Sequence, residues 1–419
     1  MRWNSSPGCR VTVEVKTIEA RTSGPWFLVM LGTLMMLPPL SIDISLPGLP
    51  LIARALDAPP ALLQWTLSLF IFAFGAGQLV LGPLSDRYGR RPVLLWGLAL
   101  YALSGVGCPL VTDARALVAL RLLQGLGACA GTVCARAIAQ DLSKDRAGAT
   151  FRQSILSSVN SFAPVIAPLL GAVVLATLGW RQLYGVLAVV GLVLVALVAV
   201  LLPETSPRIA TNVATAYRRV LQLPRTLGLM LVVGGSFFGF FPLISGSPFA
   251  LIDQLHLSSS QFAFAFAINS LSFIVAATLS ARLARCIDPE ILFGAGVALI
   301  FVATALTWGI DTYFPSVVGF IATWSLFAFG LAFSTPGAYG ALLSIARSDA
   351  GLAAGLLGAT QMLAGALAGT LAGLHRGLPT STLGLFAIIG GVCNAAGYLL
   401  SKPALGQQRQ LREARADDS

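Results

Sequence analysis

Charge is what this chain lacks. Asp, Glu, Lys and Arg make up 11% of its 419 residues, 56% are hydrophobic, and the mean hydropathy is +0.82. A soluble domain of this size could not cover itself with so little polar surface, so the chain is expected to lie in a bilayer. Its six cysteines (Cys9, Cys108, Cys129, Cys134, Cys286 and Cys393) form no C-x-x-C pair, and it has only two histidines. Neither a disulfide framework nor a metal site is expected from that set. No G-x-x-x-x-G-K-[ST] run occurs, which excludes the usual route to ATP; no cofactor and no catalytic centre are expected. The first 24 residues mix charges and lack an apolar core followed by a small-residue cleavage site, so a cleaved signal peptide is not expected.

What is present in quantity is long apolar runs. About 20 residues at 1.5 Å rise cross the hydrocarbon of a membrane. Runs of that order fall at Trp26–Leu46, Leu62–Leu81, Pro92–Val111, Ala116–Ala139, Ile155–Leu178, Leu183–Leu202, Leu227–Ile244, Phe262–Leu283, Ile291–Ile310, Pro315–Phe333, Gly351–Leu374 and Leu383–Leu400. The expected fold is an all-α integral membrane protein with twelve transmembrane helices in two six-helix bundles. We place a tail at 1–24, a first bundle at 25–203, a linker at 204–225, a second bundle at 226–402 and a second tail at 403–419. The halves echo each other weakly: Pro39-Leu40-Ser41 ahead of Asp43 has a counterpart in the Pro242–Pro248 stretch, which lacks the acid. Parallel repeats of this kind are one known carrier design, with the substrate site between them at mid-depth.

The net charge of +10 could suggest a nucleic-acid partner, but its distribution argues otherwise. If the N-terminal tail is cytoplasmic, 22 of the 27 lysines and arginines fall in the tails and every second loop. Only Arg54, Arg115, Arg181 and Arg376 fall in the opposite loops, and Arg121 lies inside a span. The positive-inside rule then predicts both termini in the cytoplasm, and the basic pI becomes a signal for topology, with the lipid bilayer as the partner.

The densest polar block is G-P-L-S-D-R-Y-G-R-R-P, Gly82 to Pro92. Pro83 and Gly89 are expected to break the helix there, and Asp86, Arg87, Arg90 and Arg91 cannot sit in hydrocarbon, so a short polar hairpin at one membrane face is predicted. Asp43 is the one acid of seventeen placed inside an apolar run. Arg121 is buried among leucines in the fourth run, with Gln124 on the same helical face. Gly125, Gly127 and Gly131 offer a smooth surface for close helix packing. Pro164, Pro168 and Gly171 mark a kinked, smooth fifth helix. Phe262, Phe264 and Phe266 are read as one aromatic face, and Trp26, Trp180 and Trp308 as interface anchors.

These blocks resemble the major facilitator superfamily over nearly the whole chain. The spacing of Gly82, Asp86 and Arg90 matches that family's loop between helices 2 and 3. The Arg121–Gly125 run and the Pro164–Gly171 run are similar to its proton-coupled antiporters. Asp43 with Leu46-Pro47 and Pro50, Asp141 after helix 4, Gly179-Trp180-Arg181 and Ser245-Gly246-Ser247-Pro248 further resemble the bicyclomycin and chloramphenicol (Bcr/CflA) drug-efflux group. There are departures: Ala167 stands before the second proline of helix 5 where glycine is usual, Ala172 follows Gly171, and Ile44-Ser45 replaces Met-Tyr after the acid.

The resemblance implies proton-coupled efflux of small amphipathic compounds from the bacterial inner membrane by a monomer. Asp43 and Arg121 would serve proton coupling. Gly82, Asp86, Arg87, Gly89, Arg90, Arg91 and Asp141 would form a cytoplasmic gate, with Asp86 capping helix 11 and Arg90 pairing with Asp141. Gln124, Gly125, Gly127, Pro164, Pro168 and Gly171 would pack the helices, and Phe237, Phe241, Trp324 and Gln361 would line a substrate cavity. An importer or uniporter on the same fold, and a polytopic sensor or lipid-handling protein, stay open as alternatives.

Overall fold

Helices carry the chain wherever the computed structural model describes it: residues 25–143, 146–205, 213–223, 225–313, 315–346, 349–375 and 379–402. The expected tails 1–24 and 403–419, and residues 206–212 of the expected linker, lie outside the described residues. In chain order the α-helices are α1 (Pro25–Asp43), α2 (Leu49–Ala55), α3 (Pro60–Tyr88), α4 (Arg90–Gly107), α5 (Ala114–Asp141), α6 (Arg146–Leu178), α7 (Arg181–Leu201), α8 (Val213–Gln222), α9 (Thr226–Pro248), α10 (Ser259–Leu283), α11 (Pro289–Tyr313), α12 (Val317–Ile345), α13 (Ala350–Leu374) and α14 (Pro379–Ser401). Twelve candidate membrane spans result, the first running through both α1 and α2. Large apolar side chains such as Trp96, Leu110, Val200 and Val318 stand outward around them. So broad an apolar exterior fits a protein whose solvent is lipid.

The first bundle is built from α1 and α3–α7, the second from α9–α14, and they meet along two seams, α3 against α13 and α6 against α10. Bonds tie each seam: Trp65 Nε1 donates to the Thr370 carbonyl at 3.3 Å, and Ser270 Oγ to the Pro164 carbonyl at 3.1 Å. Loops gather at two ends, which we call the Gly89 face and the Asp253 face. At the Asp253 face the halves are joined by an Arg54–Asp253 ion pair of 3.1 Å and a bond from Ser259 Oγ to the Pro47 carbonyl at 3.0 Å. Local chemistry sets several helix starts. Ser258 and Gln261 form a reciprocal capping box at α10, and Ser316 Oγ accepts from the Gly319 amide at α12.

Four expectations need correction. Pro83 does not end its helix: α3 runs through it to Tyr88, and the turn before α4 is the single residue Gly89, at φ +107°. In a span, helix is the state that pairs its own backbone, so one proline is absorbed. The carbonyl it frees, that of Leu79, takes the Tyr217 hydroxyl at 3.5 Å. Second, the tenth helix extends twelve residues past its expected end at Phe333, through Pro336 to Ile345. Third, Phe264 does not share a face with Phe262 and Phe266: it is 64% exposed and they are buried, because residues two apart on a helix point to opposite sides. Fourth, Trp180 is folded inward, with the Arg181 guanidinium 4.4 Å over its ring.

The linker also contains an element the sequence reading passed over. Helix α8 buries Val220 among Leu229, Val232, Leu342 and Leu357 of the second bundle, and Arg219 pairs with Asp349 at 3.1 Å.

Candidate functional site

Four groups hold the expected site residues, three of them in the first bundle and one in the second. At the Gly89 face, Arg90 is the hub. Its Nε donates to Asp141 Oδ2 at 3.2 Å, its Nη1 lies 2.5 Å from Asp86 Oδ1, and the same Nη1 donates to Ser85 Oγ at 2.6 Å. Its side chain is only 11% exposed, so these charge-assisted bonds work with little water in competition. Arg87 stays outside over the Tyr88 ring, and Arg91 reaches the last-turn carbonyl of Ala199 at 2.6 Å. The free amides that begin α4 find a distant cap: Glu204 accepts from the Arg90 amide at 2.8 Å and from that of Arg91 at 3.3 Å. A Cβ on Gly89 would overlap that carboxylate, so glycine is required there by space as well as by its positive φ. Gly82, in contrast, is uncrowded: a Cβ there would meet only Val133, at 4.0 Å.

Deeper in the bundle, Arg121 is fully buried. Its Nη1 donates to Gln124 Oε1 at 2.7 Å and its Nη2 to the Ser41 carbonyl at 2.8 Å, while the guanidinium lies 4.4 Å over the Phe70 ring and 5.8 Å from that of Tyr184. No carboxylate pairs with it among the described residues. The Ser41 carbonyl is free because α1 tightens at its end: the Ser45 amide turns back to Ile42 at 3.4 Å and leaves the bond that a continuing helix would have made. The Ser41 hydroxyl meets Tyr101 at 2.7 Å, so α1, α3, α4, α5 and α7 converge on this one cation. Glycines of α5 make the approach possible. A Cβ on Gly125 would overlap the Phe70 carbonyl of α3, and one on Gly127 would press on the backbone of α4 at Gly97 and Tyr101.

Asp43, the last residue of α1, is 4% exposed. It forms no ion pair or hydrogen bond among the described residues, and the structure does not pair it with Arg121. Beside it, the Ile44 carbonyl occupies the place a side chain on Gly171 would take, so the helix break is held against α6 backbone to backbone. Pro164 and Pro168 both sit inside α6, and Pro164 supplies the seam carbonyl taken by Ser270.

The residues expected around a substrate cavity lie in or beside the seam. Phe241 and Trp324 are buried; Phe237 stacks on Phe241 with ring centres 6.5 Å apart, and Trp324 stands edge-on to Phe266 at 5.3 Å. Gln361 accepts from the Tyr339 hydroxyl at 3.4 Å. None of the four lines the cavities of about 600, 570 and 390 Å³ at the two faces. Trp324 Nε1 and Asn269 Nδ2 are buried without an acceptor. The sequence reading did not single out Glu204, Ser41, Tyr101 or Phe70 for these roles. Glu204 could have been suspected from its place in P-E-T-S-P, where a buried-end acid needs a donor.

Two bundles of six spans with, among the described residues, a buried arginine that pairs with no carboxylate and an acid at a helix break that pairs with no cation define a polytopic membrane carrier. A sequence profile of the Major Facilitator Superfamily matches residues 31–369, and the chain belongs to that family. Among its relatives is the "Uncharacterized MFS-type transporter YdgK" of Bacillus subtilis, 30% identical over 90% of this chain and 96% of that protein. The "Bicyclomycin resistance protein homolog" of Haemophilus influenzae is 31% identical over 66% of this chain and 71% of its own. The "Chloramphenicol resistance protein" of Pseudomonas aeruginosa is 31% identical over 73% and 75%. The fold is shared with a bacterial homologue of the human lysosomal transporter Spinster, in an inward-facing and occupied conformation (TM-score 0.71, 15% identity, 91% of this chain and 97% of that one). It is shared too with the xylose transporter XylE of E. coli, in a partially occluded inward-open conformation (TM-score 0.66, 16% identity, 89% and 95%). The chain is therefore a multi-pass transporter of the bacterial inner membrane with proteins named for bicyclomycin and chloramphenicol resistance among its relatives, and is not an enzyme.

Proposed function

We propose that this protein expels small amphipathic compounds by antiport against inward-moving protons, with both termini in the cytoplasm, working as a monomer. The observation that carries the reading is Asp43: a carboxyl enclosed by protein, without a cation partner among the described residues, at a break in α1 that rests on α6. An unpaired charge costs free energy in such a place, so its charge state and its contact with water must change together. The bundles rock about the α3–α13 and α6–α10 seams, and water reaches Asp43 from each side in turn. Arg121 holds the α1 break in register through Ser41 and carries no proton itself.

On this reading the Arg90–Asp86–Asp141 cluster, whose bonds lie within the first bundle, shapes that bundle's side of the gate at the Gly89 face, which is the cytoplasmic one. The aromatic layer with Phe237, Phe241, Trp324 and Gln361 becomes the substrate contact when the seam opens. The names of the bicyclomycin and chloramphenicol relatives support drugs as the substrate class. The gradient suffices: a proton yields about 2.3 kcal/mol per 100 mV and about 1.4 kcal/mol per pH unit, while a tenfold uphill drug gradient costs about 1.4 kcal/mol.

The test is a drug-susceptibility panel in an efflux-deficient strain expressing the chain or Asp43→Asn. Raised resistance that depends on Asp43 supports the proposal. An Asn variant that protects as well as the parent overturns it.

A further inference from the structure

Arg136 is among the cations that the charge pattern assigns to the cytoplasmic side, and it stands on α5, about 8 Å along the axis from that helix's last residue, Asp141. It is exposed to solvent, yet it is surrounded by protein and close enough to Tyr339, on α12 of the second bundle, for the two to interact electrostatically. A residue both enclosed and wetted lies in a cleft, and this cleft runs between the halves. Tyr339 in turn donates to Gln361 Oε1, so the cation neighbours a residue expected around a substrate cavity. The cleft opens toward the Gly89 face. A Cβ on Gly358 of α13 would meet Gln78 of α3 and the Tyr339 hydroxyl, whereas one on Gly355 or Gly351, on the same helical face but nearer the start of α13, would meet nothing within 4 Å. Among the described residues no carboxylate pairs with the Arg136 guanidinium. Gln153 Nε2 of α6 donates to its carbonyl at 3.0 Å, which fixes its backbone and leaves the side chain to the cleft.

A cation needed only to fix topology would reach for lipid headgroups; this one faces the opposite bundle. A guanidinium keeps its charge and presents a planar fork of N–H donors that matches the two oxygens of a carboxylate. Set in a cleft with low-dielectric walls, it attracts anions and repels cations. We propose that Arg136 selects the substrate as it enters from the cytoplasm: the carrier takes acidic amphiphiles, whose carboxylate docks on the Arg136 fork while the apolar body lies deeper, toward Gln361 and the aromatic layer. The assignment rests on the transport reading above and narrows it to one substrate class.

The experiment uses the purified full chain in detergent, at equilibrium and with no ion gradient. Fluorescein is the probe, beside its methyl ester, which keeps the same body without the carboxylate; binding is followed by fluorescence polarisation. The parent should hold fluorescein about tenfold more tightly than the ester, the size expected for a charge-assisted bond. Arg136→Gln should weaken fluorescein binding by about that factor and leave the ester unchanged, so that the two dyes bind alike. Arg136→Lys, with the charge but without the fork, should fall between. No carboxylate preference in the parent, a preference that survives in Arg136→Gln, or an equal weakening of both dyes overturns the proposal. Should Arg136→Gln fail to insert, Arg136→Lys decides, since an undiminished preference there contradicts docking on the fork. The readout does not depend on Asp43: carboxylate preference through Arg136 without proton-driven flux keeps this site and strikes antiport, and flux without that preference does the reverse.

Discussion

Arg121 donates to the backbone carbonyl of Ser41 at 2.8 Å, two residues short of Asp43, and forms no ion pair with that acid among the described residues. The cation thus grips the geometry of the α1 break while leaving the carboxyl alone. Arg121→Lys keeps the charge but cannot reach Gln124 Oε1 and the Ser41 carbonyl together with a planar fork. Transport per inserted protein in proteoliposomes should fall about tenfold or more, from the loss of a charge-assisted bond, with insertion retained. Parental rates in the lysine variant would show that the fork is dispensable.

Asp43→Asn should uncouple rather than unfold, because the site already tolerates a group without a charge partner. Uphill expulsion driven by an imposed pH gradient should vanish, while downhill exchange of substrate across the membrane continues. Both are read in the same proteoliposomes with and without an ionophore. A variant that still responds to the gradient would remove Asp43 from the coupling path.

Glu204 caps the first amides of α4 across the Gly89 turn, so Glu204→Gln should weaken the Gly89 face without disturbing the spans. A loss of about 1 kcal/mol is expected for the charge at a helix N-terminus. Gly89→Ala should be worse, because a side chain there is strained in φ and displaces the same carboxylate. Thermal unfolding of the purified protein ranks the two; an unshifted midpoint for Gly89→Ala contradicts the packing described at this turn.

Gly125 and Gly82 give opposite expectations. Gly125→Ala pushes a methyl into the α3 backbone at Phe70, and overpacking of this kind costs about 1–3 kcal/mol. Gly82→Ala meets nothing closer than Val133 and should be neutral for folding. If Gly82→Ala nevertheless lowers transport while its thermal midpoint stays put, the close approach that glycine serves belongs to another conformation of the carrier. Equal midpoints for the two variants would count against the tight α3–α5 contact.

The spans were legible because apolar length alone reports them; their ends were not, because helix persists through Pro83 and Pro336 where local propensity says it should stop. Within the candidate sites, Arg121 with Gln124 could be foreseen from helical spacing, whereas Asp86 meets Arg90 across the Gly89 turn, between α3 and α4, where helical spacing does not apply. Arg90 with Asp141 came only through family resemblance. Glu204 on the Arg90 amide, 114 positions away, and Ser41 under Arg121, 80 away, depend on how helices are arranged in three dimensions. No pattern in the chain announces them. Helix α8 was missed because a single buried face ten residues long is swamped by the arginines around it.

That same helix redraws where the protein can be dissected. Its apolar side is committed to the later bundle through Val220, and its tyrosine reaches back to the carbonyl that Pro83 releases in the earlier one. A gene split to co-express the halves as separate polypeptides should be cut ahead of residue 213, so that the trailing fragment keeps this helix as its docking tongue. A cut after residue 222 would hand it to the leading fragment and leave the face it covers on the later bundle bare until the halves reassemble.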